Sequence, residues 1–131
     1  MRMFCLAAEE IDPNWGDFAP FFERLARCGD LSPEAARENL KASRQQLWGL
    51  QDAEAIHGIA LTEILATPSG LLCLIVGAAG SAPKPLQRRL HDEIAKWAKS
   101  IGCTRMRLQG RRGWLRQLKY TQTGLIGERA L

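Results

Sequence analysis

Residues 71–77 read Leu-Leu-Cys-Leu-Ile-Val-Gly, an uninterrupted apolar run with turn signals before it, at Ser69-Gly70, and after it, at Gly77 to Gly80. An apolar run without polar alternation is typical of a strand that is buried on both faces of a sheet. We therefore expect residues 71–77 to form the central strand of the fold.

The segment after this run has the period of an amphipathic helix. Its apolar residues recur at spacings of three and four with charged residues between them: Leu86, Leu90, Ile94, Trp97, Ala98 and Ile101. Gly102 suits the end of such a helix, because glycine tolerates a positive φ. A second β-like run follows, and a right-handed crossover would place it parallel to the first. The pattern predicts that residues 71–77 and 104–109 form neighbouring parallel strands, connected by a helix over 85–101. Ligands would bind at the carboxyl end of this strand pair.

The first third of the chain predicts a strand and two helices. Residues 3–7 suit a short strand, and an acidic turn at 9–12 precedes a helix that Pro13 opens and Cys28-Gly29 ends. Ser32-Pro33-Glu34 then supplies an N-cap, a proline at the first helical position and an acid in the first turn. We expect this second helix to run to about residue 44, near the surface.

From residue 46 the period becomes extended. Residues 46–51 and 56–65 flank a polar turn and predict a hairpin, which Thr67-Pro68-Ser69-Gly70 joins to the apolar run. Three consecutive antiparallel strands are therefore expected. His57 and Glu63 lie on the second of them, and isolated residues of this kind more often pack or face solvent than act as a general base. We assign no catalytic residue.

Length and composition favour a single domain over residues 1–131. The chain has 131 residues and 46% hydrophobic content, which suits one core. No apolar stretch approaches the roughly 20 residues of a membrane span, and the N-terminus lacks the regions of a secretory signal, so we expect a cytoplasmic protein. The four cysteines form no CxxC pair and have no zinc-site spacing. We expect reduced, structural cysteines and no metal site.

Charge is divided unevenly along the chain. Residues 1–80 carry 6 basic and 11 acidic side chains, whereas residues 81–131 carry 12 basic and 3 acidic ones. A basic face can bind phosphates, nucleic acid or an acidic protein surface, or it can simply be solvated. Few aromatic residues lie among these basic ones and no nucleic-acid motif is present, so nucleic acid is the less attractive partner. An acidic protein surface or a phosphorylated small molecule fits better.

The most distinctive short stretch is Gly110-Arg111-Arg112-Gly113-Trp114. Two glycines around paired arginines predict a tight turn, in which Trp114 docks on the sheet and both guanidinium groups are available for bidentate contacts. We assign Arg111, Arg112 and Trp114 to partner binding. The alternative is that the arginines are solvated and the tryptophan is core.

The order of the predicted elements resembles the GNAT acyltransferase fold over nearly the whole chain. That resemblance implies an α/β (α+β) domain with a mixed, mostly antiparallel sheet, a central parallel βαβ pair and helices on both faces. Four segments are similar, more narrowly, to small GNAT-like proteins encoded by tailed phages and prophages: Ala8-Glu9-Glu10-Ile11-Asp12, Gln46-Leu47-Trp48, Ala98 to Gly102 with Cys103, and Gly110-Arg111-Arg112-Gly113-Trp114.

The resemblance also implies where acetyl-CoA would bind. In active GNAT enzymes the loop after the fourth strand carries Arg/Gln-x-x-Gly-x-Gly/Ala, and its backbone amides hold the pyrophosphate at a helix N-terminus. Residues 77–85 lack this pattern, and Pro83 and Pro85 remove two N–H donors. Some residues would still contact the cofactor through close backbone approach, a polarising amide or a positive charge. They are Val76, Gly77, Ala78, Gly80 and Lys84.

The position of the family's general-acid tyrosine is also changed. Near that position this sequence has Leu118 and Lys119, and Tyr120 takes the place of the family's aromatic core residue. We therefore expect a phage-type GNAT-like binding or assembly module that requires no cofactor, with weak acetyl-CoA binding left open. The alternative is an active N-acetyltransferase that transfers an acetyl group from acetyl-CoA to an amine.

Overall fold

A computed structural model describes residues 1–28 and 31–108, which form one five-stranded sheet with helices on both sides. Along the chain the elements are β1 (Arg2–Leu6), a 3₁₀ helix (Ala8–Glu10), α1 (Ile11–Cys28), α2 (Pro33–Lys41), β2 (Gln45–Gln51), β3 (Ile56–Thr67), β4 (Gly70–Gly80), α3 (Lys84–Ser100) and β5 (Cys103–Leu108). The strand order follows the sequence order, β1-β2-β3-β4-β5.

The predicted parallel pair is confirmed. β4 and β5 pair in parallel from Leu71 opposite Cys103 to Ile75 opposite Leu108, and α3 connects them. The three antiparallel strands before the crossover are also confirmed, since β2 pairs with β3 and β3 pairs with β4 in that sense. β1 adds a further antiparallel strand beside β2. The mixed, mostly antiparallel α/β sheet predicted from the sequence is therefore present.

Helices cover both faces of the sheet, and each face has its own hydrophobic core. The α1 and α2 core contains Ile11, Phe18, Phe22, Ala36, Leu40, Leu47, Ile59 and Leu61. The α3 core contains Trp48, Leu50, Ala60, Cys73, Ala82, Leu90, Ile94, Ala98 and Cys103. Leu47 and Trp48 are consecutive on β2 but belong to different cores, because successive side chains of a strand point to opposite faces.

Two helix boundaries differ from the prediction by more than one residue. The acidic stretch at 9–12 is not a turn, because the 3₁₀ helix leads directly into α1 at Ile11, whose side chain is buried. Pro13 is tolerated inside this first turn, since the N–H groups there have no partner within the helix. α2 ends at Lys41 and not near residue 44. Ser43, just beyond this end, adopts a left-handed backbone conformation with φ 59°. The Ser32 cap of α2 is as predicted: the hydroxyl accepts the N–H of Ala35 at 3.2 Å.

Within the described ranges, no helix is long and apolar enough to cross a membrane. Cys5, Cys73 and Cys103 are unpaired. Burial raises the pKa of the Cys73 thiol to about 11, so this side chain is an unreactive part of the core.

Residues 109–131 lie outside the described part, and with them the predictions for Arg111, Arg112, Trp114 and Tyr120.

Candidate ligand site at the carboxyl end of the parallel pair

The carboxyl half of β4 is longer than the sequence suggested. Gly77 to Gly80 were predicted to be a loop, but they continue the strand and pair with β3, from Leu61 opposite Gly77 to Gly58 opposite Gly80. The two strands approach closely at that end, since a Cβ added to Gly80 would lie 2.4 Å from the His57 carbonyl oxygen. Gly80 also has φ +143°, a conformation that side chains with a Cβ rarely adopt. The connection to α3 is therefore only the stretch from residue 81 to 83.

A β-bulge interrupts β4 at Val76. Leu61 pairs with Gly77 and Thr62 pairs with Ile75, which leaves Val76 without an opposite residue on β3. On the other side of β4, the described ladder with β5 ends at Ile75. A bulged residue is left out of the regular ladder, so Val76 has no regular pairing with β3. Val76 is also one of the few large apolar side chains that are exposed among residues 1–108, at 37%.

The N-terminus of α3 has few free N–H groups. The N–H of Ser81 donates to the His57 carbonyl at 2.9 Å, and the N–H groups of Leu86 and Gln87 both donate to the Pro83 carbonyl at 3.0 Å. Pro83 is the N-cap and gives no side-chain hydrogen bond, and Pro85 follows in the first turn. Neither proline has an N–H group.

Two N–H groups of this turn make no hydrogen bond to the described part of the chain, those of Ala82 and Lys84. Ala82 is buried and Lys84 is exposed. The Gln87 side chain further ties the connection to the helix, because its amide nitrogen donates to the Ala82 carbonyl at 2.7 Å. An anion at this end of α3 would therefore meet one exposed backbone donor, on Lys84, and the ammonium group of that residue.

A cavity of about 130 Å³ lies between α3 and the sheet, beside this connection. Ala78 and Gly80, which the sequence assigned to acetyl-CoA, line it, together with Gln87 and His91 from α3. Burial lowers the pKa of His91, and the nearby Asp92 carboxylate only partly offsets this. His91 was not among the site residues predicted from the sequence. The signal was its spacing, since it stands four residues after Gln87 and three before Ile94, on the buried face of the helix.

The two residues that were weighed as general bases have structural partners. His57 Nε2 lies 2.5 Å from Asp52 Oδ2, and Asp52 Oδ1 accepts the N–H groups of Glu54 and Ala55, each at 2.8 Å. These backbone bonds, followed by the contact with His57, lower the pKa of Asp52 to about 2. The pair stabilises the β2–β3 turn. Glu63 is half-buried and accepts the Gln45 side-chain amide at 3.2 Å.

Comparison with known proteins gives a match in structure and none in sequence. No family model matches the chain, and no curated protein matches it. An aminoglycoside acetyltransferase, meta-AAC0020 from an uncultured soil metagenomic sample, solved in complex with sisomicin, superimposes with a TM-score of 0.77 at 14% identity, over 99% of this chain and 94% of that one. The chain has the GNAT fold.

Two further structures support this fold. The ribosomal-protein-alanine N-acetyltransferase from Brucella melitensis biovar Abortus 2308 gives a TM-score of 0.72 at 14% identity, over 100% of this chain and 99% of that one. A tetramutant of the BH1408 protein from Bacillus halodurans gives 0.78 at 10% identity, with both chains covered completely. Likenesses at such low identity establish the GNAT fold alone. The narrower resemblance to phage-encoded proteins stays a prediction.

Proposed function

We propose that this chain is a GNAT-fold binding module that binds acetyl-CoA weakly and transfers no acetyl group. The observation that carries the proposal is the loss of N–H donors at the start of α3. Pro83 and Pro85 have none, and the N–H of Ser81 is already bonded to the His57 carbonyl. One exposed backbone donor, on Lys84, is left where a pyrophosphate would need several.

The magnitude of the loss supports weak binding. A hydrogen bond to a charged group contributes about 1.5–3 kcal/mol at good geometry. At an exposed helix start, where solvent competes, we take about 1 kcal/mol for each bond, so the absence of two such bonds reduces affinity roughly thirtyfold. Lys84 offsets only part of this, because its ammonium group is exposed and its attraction for phosphate is screened by salt. Acetyl-CoA would then occupy little of the protein at ordinary concentrations.

An active N-acetyltransferase is the second candidate, and the bulge at Val76 is the observation that favours it. A backbone N–H that is free at this point of β4 could polarise a thioester carbonyl and stabilise the developing oxyanion. Two of the structural neighbours are named as acetyltransferases, one for aminoglycosides and one for the alanine of a ribosomal protein. Either substrate class would present an amine to the acetyl group.

A turnover assay separates the two candidates. Purified chain 1–131 is incubated with acetyl-CoA and an amine, either an aminoglycoside or a peptide with N-terminal alanine, and the released CoA thiol is titrated. We expect a rate of thiol release equal to that of acetyl-CoA and amine alone. Release that is faster, saturates with both reactants and yields the acetylated amine in mass spectrometry would establish the enzyme and overturn the binding-module proposal.

For the partner of the module we retain the prediction from charge. Lys96, Lys99, Arg105 and Arg107 are exposed on α3 and β5, although Arg105 is partly engaged through a 2.7 Å hydrogen bond to the Thr67 hydroxyl. Basic side chains of this kind suit an acidic protein or a phosphorylated small molecule, with Arg111, Arg112 and Trp114 as the proposed contacts.

A cellular setting follows as part of the same proposal. Assembly of phage particles in a host cytoplasm is the setting that the sequence resemblance suggests. The free thiols of the buried Cys73 and Cys103 suit a reducing compartment of this kind.

A further inference from the structure

The first strand of the chain lies at the edge of the sheet. β1 pairs with β2 from Arg2 opposite Gln51 to Leu6 opposite Leu47, and within the described ranges it has no neighbour on its other side. An edge strand presents a row of backbone N–H and C=O groups that can pair with another strand. Over its five residues, β1 therefore offers its outward-pointing backbone groups to a further strand.

β1 lacks the features that usually protect an edge strand. Its sequence, Arg-Met-Phe-Cys-Leu, contains neither proline nor lysine, and no bulge interrupts its register with β2. The Phe4 side chain also leaves the outer edge clear. Its ring leans inward over Gly49, where it occupies the space that a Cβ would take, and it packs against the Phe18 ring with 6.1 Å between the ring centroids. The backbone of the strand is thus accessible along its outer side.

The two ends of this edge carry opposite charges. Arg2 begins β1 and is exposed; it makes an exposed 3.4 Å hydrogen bond to the Gln51 side chain, and its guanidinium carbon lies 5.6 Å from the centroid of the Phe4 ring. At the other end the chain enters the 3₁₀ helix, whose Glu9 and Glu10 are exposed and belong to none of the ion pairs among the described residues. Such an edge is complementary to itself in the antiparallel sense, because each basic end then meets an acidic end. Parallel pairing would instead place Arg2 beside a second Arg2.

We propose that two copies of this chain associate through β1, which pairs with its own copy in the antiparallel sense and joins the two five-stranded sheets into one. The two-fold axis passes through the middle of the strand, at Phe4, so that all five residues of each copy take part. Arg2 then lies opposite Leu6 of the second copy, next to that copy's Glu9 and Glu10. Both copies contribute the same surface, which is the requirement for a closed dimer. β2 and β3 separate this edge from β4, so the association is independent of acetyl-CoA binding.

Sedimentation equilibrium of the full chain over a dilution series tests the association. We expect a reversible dimer with twice the mass of one chain. Arg2→Glu places like charges together at both ends of the interface and should raise the dimer dissociation constant at least about tenfold. Arg88→Glu makes the same change of charge at an exposed position of α3 and should leave that constant unchanged. Adding Glu9→Arg and Glu10→Arg to Arg2→Glu should restore the dimer, and circular dichroism confirms that each variant is folded. A monomer at every concentration, or a dimer that Arg2→Glu does not weaken, would overturn the proposal.

Cross-linking then tests the register of the two strands. Directly opposite residues of an antiparallel pair have Cα atoms about 4.5–5.5 Å apart, which is within the range of a disulfide. The proposed register places residue 3 opposite Cys5 of the second copy. Met3→Cys, combined with Cys28→Ser, should therefore form a covalent dimer when oxidised glutathione is added, and the further change Cys5→Ser should abolish it. Cys73 and Cys103 are buried in both variants. Absence of a covalent dimer from the first variant, or an equal yield from both, would refute the pairing.

Discussion

Replacing Pro83 and Pro85 together by alanine should strengthen acetyl-CoA binding. Alanine accepts the Pro83 backbone, φ −58° and ψ 151°, without strain, and position 85 is helical. Each substitution adds one N–H group at the start of α3, where the helix has no partner of its own for it. The backbone geometry is thus preserved, and the number of donors that face an incoming anion increases by two.

The expected gain follows from those two groups. A hydrogen bond to a charged acceptor is worth about 1.5–3 kcal/mol at good geometry. Both prolines are exposed, so solvent competes for the new donors, and we take about 1 kcal/mol for each. The sum of about 2 kcal/mol corresponds to a roughly thirtyfold lower dissociation constant. The loss of two prolines should cost about 1–2 kcal/mol of folding stability, because the unfolded chain gains freedom.

Isothermal titration of both proteins with acetyl-CoA measures the gain, and thermal unfolding confirms that the variant is folded. Pro33→Ala is the matched control, since Pro33 is the first residue of α2 on the opposite face of the sheet. It should lower stability slightly and leave acetyl-CoA affinity unchanged. If the folded double variant binds no more tightly than the natural chain, the missing donors are not the cause of weak binding, and our reading of this helix terminus is wrong.

Three further predictions concern stability, pH and partner binding. Gly80→Ala should lower the free energy of unfolding by about 3 kcal/mol in urea titrations, because its Cβ would lie 2.4 Å from the His57 carbonyl oxygen; Gly16→Ala, with no atom within 4 Å, should instead raise it by about 0.5–1 kcal/mol. Burial lowers the pKa of His91 below its ordinary 6.5, so the unfolded state binds the proton more readily than the folded state, and the free energy of unfolding should fall as the pH drops below about 6.5. This loss between pH 7 and pH 5.5 should be smaller in His91→Gln, and an equal loss would contradict the lowered pKa of His91. Replacing Arg111 and Arg112 together by alanine should leave the melting temperature nearly unchanged and lower the salt concentration that elutes the protein from immobilised polyglutamate, whereas unfolding of the variant would make that turn structural.

The sequence predicted the parts of the fold that have a local signal. The apolar run at 71–77, the three- and four-residue spacing from Leu86 to Ala98 and the Ser32 cap each fix an element by themselves. The parallel pairing of β4 with β5 then followed from the handedness of the crossover. These features needed no knowledge of distant contacts.

The parts that were missed depend on distant contacts. Gly77 to Gly80 look like a turn because glycine and alanine are frequent there, yet they form strand, since the facing segment of β3 begins with Gly58 and lets the backbones approach. The bulge at Val76 is likewise a property of two strands and not of one. His91 became a candidate only once the cavity beneath α3 was known.

The most direct test of the account is a calorimetric titration of chain 1–131 with acetyl-CoA at physiological ionic strength. We predict a dissociation constant far weaker than about 1 μM, or no measurable heat, because the start of α3 has lost two donors. A dissociation constant near or below about 1 μM, equivalent to roughly −8 kcal/mol, would contradict the binding-module proposal and favour the acetyltransferase.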